Sequence, residues 1–288
     1  MRIFRNPVVR ALCCLALMMA LLPACAGLAD EAVPSFNASG VPNRAVSVDP
    51  TGLTEGFSAK LFDNKNGLPT SEANAIAETS EGFLWIGSYA GLIRYDGNTF
   101  ERMYATDGIS SIKCLYVDSQ DRLWIGTNDN GVAVLKRNEL RKWNKLDGMK
   151  SAHTRAITED QNGTVYVATT CGITMIDAQG NLRMMEDEAV AEANMRDLRM
   201  GNDGIIYGLT NLGDLLRIRD GKLLSFLSFT DNPTKGAGSV LPDPTEPGKI
   251  YFEGADFGFY RATLGDTLSD LEKNRYPAAE LCAADGIH

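Results

Sequence analysis

The chain has 288 residues, 44% hydrophobic and 23% charged, which is ordinary globular material and by length would hold one or two domains. With 28 Lys and Arg against 37 Asp and Glu the net charge is −9, and no basic cluster follows the extreme N-terminus. Such a surface repels phosphate backbones, so nucleic acid is not an expected partner.

Residues 1–29 read as a secretory signal. Arg2, Arg5 and Arg10 precede the apolar run Ala11 to Leu22, then Pro23 and small residues through Ala29, with a cleavage site expected before Asp30. The run is short for a spanning helix. Leu22-Pro23-Ala24-Cys25 also has the layout of a lipidation site, with proline unfavourably placed before the cysteine. Either way the mature protein is expected to leave the cytoplasm. Three cysteines, Cys114, Cys171 and Cys282, lie outside the signal, with no C-x-x-C spacing, so neither a disulfide framework nor a zinc site is indicated.

Residues 30–56 carry Pro34, Pro42 and Pro50 without a period of 2 or 3.6 and read as a linker. Phe57 to Phe62 alternates as a short strand that belongs to no complete repeat, a prospective clasp closing a ring. The stretch GFLWIGSYAGLIRYDG from Gly82 then returns from Asp121, Gly163 and Gly204, and in eroded form from Gly248. Its aromatic anchors are Trp85, Trp124, Tyr166, Tyr207 and Tyr251, spaced 39, 42, 41 and 44 residues apart. That period belongs to arrays in which one repeat is one small sheet. The fold expected over 57–288 is therefore an all-β β-propeller of four-stranded blades, about five of them.

Within the first repeat the strands fall at 73–79, 83–88, 91–95 and 99–103, joined by Ser80-Glu81-Gly82 and by Asp96-Gly97. Asn162-Gly163, Asp203-Gly204 and Asp220-Gly221 are read as equivalent hairpin turns. Each anchor ring packs between neighbouring sheets, and Gly87, Gly126 and Ala168, two positions on, let those sheets approach.

The run from Asn66 to Phe100 resembles the repeat of the two-component regulator propeller family, with its Gly-Leu-Pro opening, Leu-Trp-Ile-Gly-Ser strand and Gly-Leu-Ile-Arg-Tyr-Asp-Gly hairpin. The match weakens along the chain, and the Pro-rich stretch Ser239 to Gly248 blurs the fifth unit. The resemblance implies an extracytoplasmic sensor region, commonly in seven-bladed rings. In full-length relatives it is followed by an immunoglobulin-like domain, a membrane helix and a cytoplasmic histidine kinase or diguanylate cyclase, so the full-length protein is expected to be membrane-anchored and dimeric. Asp285-Gly286-Ile287 matches Asp107-Gly108-Ile109 at a repeat start, so the array reads as cut at its C-terminus.

Chemistry-bearing residues are sparse. Two histidines, His153 and His288, give no material for a Ser-His-Asp triad or a multi-histidine metal site, and no catalytic residue, metal or cofactor is expected. Glu186-Asp187-Glu188 with Glu192 reads as a solvated loop, and Asp118 to Asp121 as a turn lacking the elements of an EF-hand. Asn37 and Asn162 head glycosylation sequons that matter in a eukaryotic host alone. Loops joining second to third strands and loops joining blades should share one face. They bring Tyr89, Asn128 and Asn211 near Arg155 and Arg196, which stand at equivalent positions in successive repeats. Two converging guanidiniums could hold a carboxylate or sulfate, or could be tied up in rim ion pairs with Asp129, Glu188 or Glu192. The expected partner is a small-molecule or oligosaccharide ligand, and the two guanidiniums could accommodate an anionic one. A secreted lyase or glycoside hydrolase, or a binding propeller without signalling output, are the alternatives; an enzyme would need a close carboxylate pair or a metal cluster.

Overall fold

The structure is a computed structural model and describes residues 62–274 apart from 66, 71, 104–107, 229–233, 235 and 254–257, together with two short strands nearer the N-terminus. The signal, most of the linker, Cys282 and the C-terminal Asp-Gly-Ile lie outside the described residues. Val46–Val48 and Phe57–Ala59 form a two-stranded sheet of their own. The stretch read as a clasp thus pairs within that sheet and is a member of none of the four-stranded ones.

Five four-stranded antiparallel sheets follow in chain order. Blade 1 is Ala75–Glu78, Leu84–Ser88, Gly91–Tyr95 and Phe100–Met103. Blade 2 is Ile112–Val117, Leu123–Thr127, Val132–Lys136 and Glu139–Trp143; blade 3 is Thr154–Glu159, Val165–Thr169, Ile173–Ile176 and Leu182–Met184. Blade 4 is Met195–Met200, Ile206–Thr210, Leu215–Arg219 and Lys222–Leu227, and blade 5 is Val240–Pro242, Lys249–Glu253, Phe259–Leu264 and Leu268–Asn274. The protein is an all-β array of propeller blades. The Pro-rich stretch proves to be the first strand of blade 5 and its turn, because Asp243 accepts Thr245 N and Glu246 N and folds Pro244 to Gly248 into that turn. First strands of successive blades pack side by side from blade 1 to blade 5, while blades 1 and 5 share no comparable packing among the described residues.

The core lies between blades. Trp85 packs with Ile112, Ile125 and Ala133 of blade 2, Trp124 with Val165, Val167 and Ile176 of blade 3, and Tyr166 with Leu198, Ile206 and Leu216 of blade 4. Tyr207 meets Val240, Ile250 and Phe252 of blade 5. Each anchor also uses its polar atom. Trp85 donates to Thr79 Oγ1 at 3.1 Å, Trp124 to Asp118 Oδ2 at 2.6 Å, Tyr166 to Asp160 Oδ2 at 2.9 Å, Tyr207 to Asp203 Oδ2 at 2.6 Å and Tyr251 to Asp243 Oδ2 at 3.0 Å. A buried indole N–H or phenol needs such a partner. The same aspartates cap the turns between first and second strands, Asp118 taking Gln120 N and Arg122 N, and Asp160 taking Asn162 N and Thr164 N. One carboxylate thus fixes both a turn and an anchor.

The four Asx-Gly pairs do not occupy one place. Asp96-Gly97 and Asp220-Gly221 join third and fourth strands, whereas Asn162-Gly163 and Asp203-Gly204 join first and second. In blade 2 the outer hairpin has no glycine; Arg137 and Asn138 take its two left-handed positions, with φ of 46° and 69°. The pairing of Lys136 with Glu139 closes this two-residue loop, and Asn138 tolerates the left-handed region that such a loop requires.

The expected close approach at Gly126 is present. A Cβ there would lie 2.5 Å from both Cys114 Sγ and Thr154 Cγ2, the second in the next blade. Gly126→Ala is expected to lower stability by about 1–3 kcal/mol through overpacking. A urea midpoint equal to that of the parent would show that the joint between blades 2 and 3 is looser than this.

Blade 5 carries an ion-pair cluster. Arg261 donates to Asp243 Oδ2 at 2.9 Å and also to Glu246, while Lys249 reaches Glu246 at 2.8 Å. The Arg261 guanidinium, then the Thr245 amide, hold the Asp243 carboxyl well below the usual carboxylate range. A carboxyl depressed in the folded state stabilises above its unfolded value, about 4, and that contribution is lost as pH falls through this value towards the folded one. Below pH 4 the parent should therefore lose more of its melting temperature than Asp243→Asn does. Parallel losses in the two proteins would remove Asp243 as the titrating group.

Candidate functional site

Antiparallel blades place first-to-second turns on one face and second-to-third turns, with the crossings between blades, on the other. Backbone hydrogen bonds knit the second face together: Ser111 N to Tyr89 O at 3.0 Å, Asn128 N to Ser111 O at 2.9 Å, Thr170 N to His153 O at 3.1 Å and Asn211 N to Asn194 O at 2.7 Å. These bonds hold residues from several blades in fixed positions around the inner strands.

Below that face the inner strands enclose an open cavity of about 830 Å³, lined from Asn74 and Ile76 in blade 1 round to Gly238 and Ser239 before blade 5. Asn128, Arg155, Arg196 and Asn211 all line it, as the loop geometry predicts. Tyr89 does not. Its ring stands on the second-to-third turn of blade 1, 52% exposed, and is not among the lining residues.

Arg155 Nη1 donates to Asn128 Oδ1 at 2.7 Å and to Thr154 O at 3.2 Å. Arg196 makes two longer contacts, Nε to Gly238 O and Nη1 to Asn211 Oδ1, both 3.4 Å. Among the described residues neither guanidinium forms an ion pair. Glu192, considered above as a rim partner, instead accepts from Lys150 Nζ at 2.9 Å and from Cys171 Sγ at 2.9 Å. That second bond, foremost among the causes, raises the Cys171 thiol pKa.

Two features of the cavity escaped the sequence. Lys113 lines it as an exposed cation at the blade 2 position matching Arg155 and Arg196, beside Arg199, which is paired with Asp197. Counting back from each anchor would have found it, since Lys113, Arg155 and Arg196 each precede their anchor by 11 residues. Asp197 is the one carboxylate in the lining. It is buried and accepts from Leu198 N at 3.0 Å, Val240 N at 3.2 Å, Arg199 Nε at 3.3 Å and Ser239 Oγ. It ties the first strand of blade 4 to that of blade 5.

His153, on the rim, is in contact with Asn128 O through Nδ1. Desolvation pushes the Cys114 thiol up to about 12, so it is protonated and a poor nucleophile at neutral pH. No group of three His, Cys, Asp or Glu suited to a metal ion occurs among the described residues. Nor does any described helix have the length and hydropathy to cross a membrane.

Residues 67–90 and 108–129 match the family model described as "Two component regulator propeller". These segments are the Gly-Leu-Pro and Gly-Ile openings with the first two strands of blades 1 and 2; Leu68 and Ile109 are buried against those blades. Among solved structures, a virginiamycin B lyase from Staphylococcus aureus aligns over 85% of this chain and 83% of its own at 13% identity, with a TM-score of 0.60. A streptogramin B lyase aligns over 74% and 72% at 16% identity, with a TM-score of 0.59. The extracellular domain of a protein assigned to the hybrid two component systems of B. thetaiotaomicron aligns over 80% of this chain at 19% identity, with a TM-score of 0.60. This chain spans 33% of that longer one. At such identities the likeness is one of fold. No curated protein matches the sequence.

Proposed function

Because its first two blades carry two component regulator propeller repeats, we infer that this chain is the extracytoplasmic input region of a bacterial two-component-type signalling protein. Its ligand binds in the axial cavity, where Arg155 and Arg196 hold an anionic group and Asn128 and Asn211 orient the guanidiniums. Tyr89, outside the lining, takes no part in that binding. The observation that carries the reading is the combination of those repeats with a cavity that presents cations from successive blades. The likeness in fold to an extracellular domain of a hybrid two component system supports the location. Signalling then requires that occupied and empty cavities favour different arrangements of the full-length protein, with the ratio of ligand affinities setting the shift. In that protein a histidine kinase or diguanylate cyclase follows, anchored in the membrane and working as a dimer, and the N-terminal segment directs export.

Protease added to spheroplasts of cells that make the full protein tests this directly. The blades should be cleaved or released from outside while a cytoplasmic marker survives. Blades that stay protected until the membrane is lysed would overturn the reading.

A further inference from the structure

We propose that the axial cavity takes a short linear polyanion, with Lys113, Arg155 and Arg196 each meeting a charge on a successive unit. This deepens the assignment of the cavity as the ligand site and rests on it. In blades 2, 3 and 4 the ladder between first and second strands slips by one residue, between Ile112 and Cys114, Thr154 and Ala156, and Met195 and Asp197. The extra residue is Lys113, Arg155 or Arg196. A bulge frees its residue from pairing and re-aims the side chain. Here three consecutive blades bulge at one register position, put a cation there, and direct it to one cavity.

Those cations are left for a ligand. Asp197 is engaged with Arg199 and with blade 5. Among the described residues Lys113 has neither ion pair nor hydrogen bond, and Arg155 and Arg196 keep Nη2 unused. The lining of a chain with net charge −9 thus holds three uncompensated positive charges. Sheets packed face to face stand on the order of 10 Å apart, so one small anion can bridge neighbouring cations but not all three. A chain of charged units can. Asn74, Asn128, Asn194 and Asn211 lie among the cations and supply neutral donors and acceptors for the atoms between charges. The volume suits a ligand of a few units.

Calorimetric titration of the full chain compares galacturonate, its linear dimer and trimer, tripolyphosphate and neutral maltotriose. Affinity should climb with charge number, the trimer or tripolyphosphate binding on the order of 100-fold more tightly than the monomer, and maltotriose should not bind. Which binds more tightly, trigalacturonate with one charge per unit or tripolyphosphate with more than one, tells a carboxylate chain from a phosphate chain. Lys113→Ala should weaken that polyanion about tenfold, leave the monomer unchanged and lower the slope of log affinity against log salt by about one; Lys113→Arg should restore both. A monomer that binds as well as the trimer, a polyanion indifferent to Lys113→Ala, or no polyanion binding at all overturns the proposal. Polyanion binding without any output from the full protein would overturn the sensor reading and leave the site standing, whereas an output driven by a neutral ligand alone would do the reverse.

Discussion

Trp124→Ala should lower the stability of the array by about 3–5 kcal/mol, the range for truncating a buried aromatic. The indole is 1% exposed, stacks on Trp143 at 5.5 Å between ring centres, and fills the joint between blades 2 and 3. Its loss opens a cavity lined by two sheets that their own ladders hold rigid. Asp118 would lose the N–H at 2.6 Å yet keep Arg122 and two turn amides, so the turn should survive. For a chain of this size the shift in melting temperature is on the order of 10 °C. Trp124→Phe keeps most of the packing and should cost about 1–2 kcal/mol, chiefly the lost hydrogen bond. Tyr251→Ala provides the contrast. Blade 5 has no following blade among the described residues, and Leu241 and Phe259 on its strands are 52% and 55% exposed. Its half-buried anchor should therefore matter much less. Equal losses at Trp124 and Tyr251 would mean that the anchors act within their own blades and not between them.

Replacing both Arg155 and Arg196 by alanine should abolish the response of the full protein to its ligand while leaving the melting temperature within about 2 °C of the parent. Each charge-assisted hydrogen bond contributes about 1.5–3 kcal/mol, so two lost together amount to on the order of 100-fold in affinity or more. Folding should be spared because neither arginine is fully buried, and their contacts are with Asn128, Asn211 and two carbonyls rather than with buried carboxylates. Tyr89→Ala, outside the cavity, should respond as the parent does. A double variant that melts early would show that the arginines hold the rim together, and one that responds normally would place the ligand elsewhere.

The sequence by itself determined the blades. Anchors every 39 to 44 residues, alternating strands and turn-forming pairs are local signals, repeated often enough to locate four strands per unit and the shared face of the loops. It also put Arg155 and Arg196 at matching positions, because repeat register is a matter of counting. Only the tertiary structure decided what those positions do. The bulges at Lys113, Arg155 and Arg196 arise from pairing with a second strand some ten residues on, and no composition marks them. Asp118 and Asp203 read as turn residues, and they are; that these two, with Asp160 and Asp243, also accept an anchor's hydrogen bond follows from folding the second strand back across the first. Glu192 was near enough in sequence to serve Arg196, yet the helical turn at Glu188–Ala191 carries it to Lys150 and Cys171 instead. Side-chain direction decided these pairings, and in a strand it reverses with every residue or with a single bulge. A linear reading can therefore name the face on which a residue lies but not the partner it meets there.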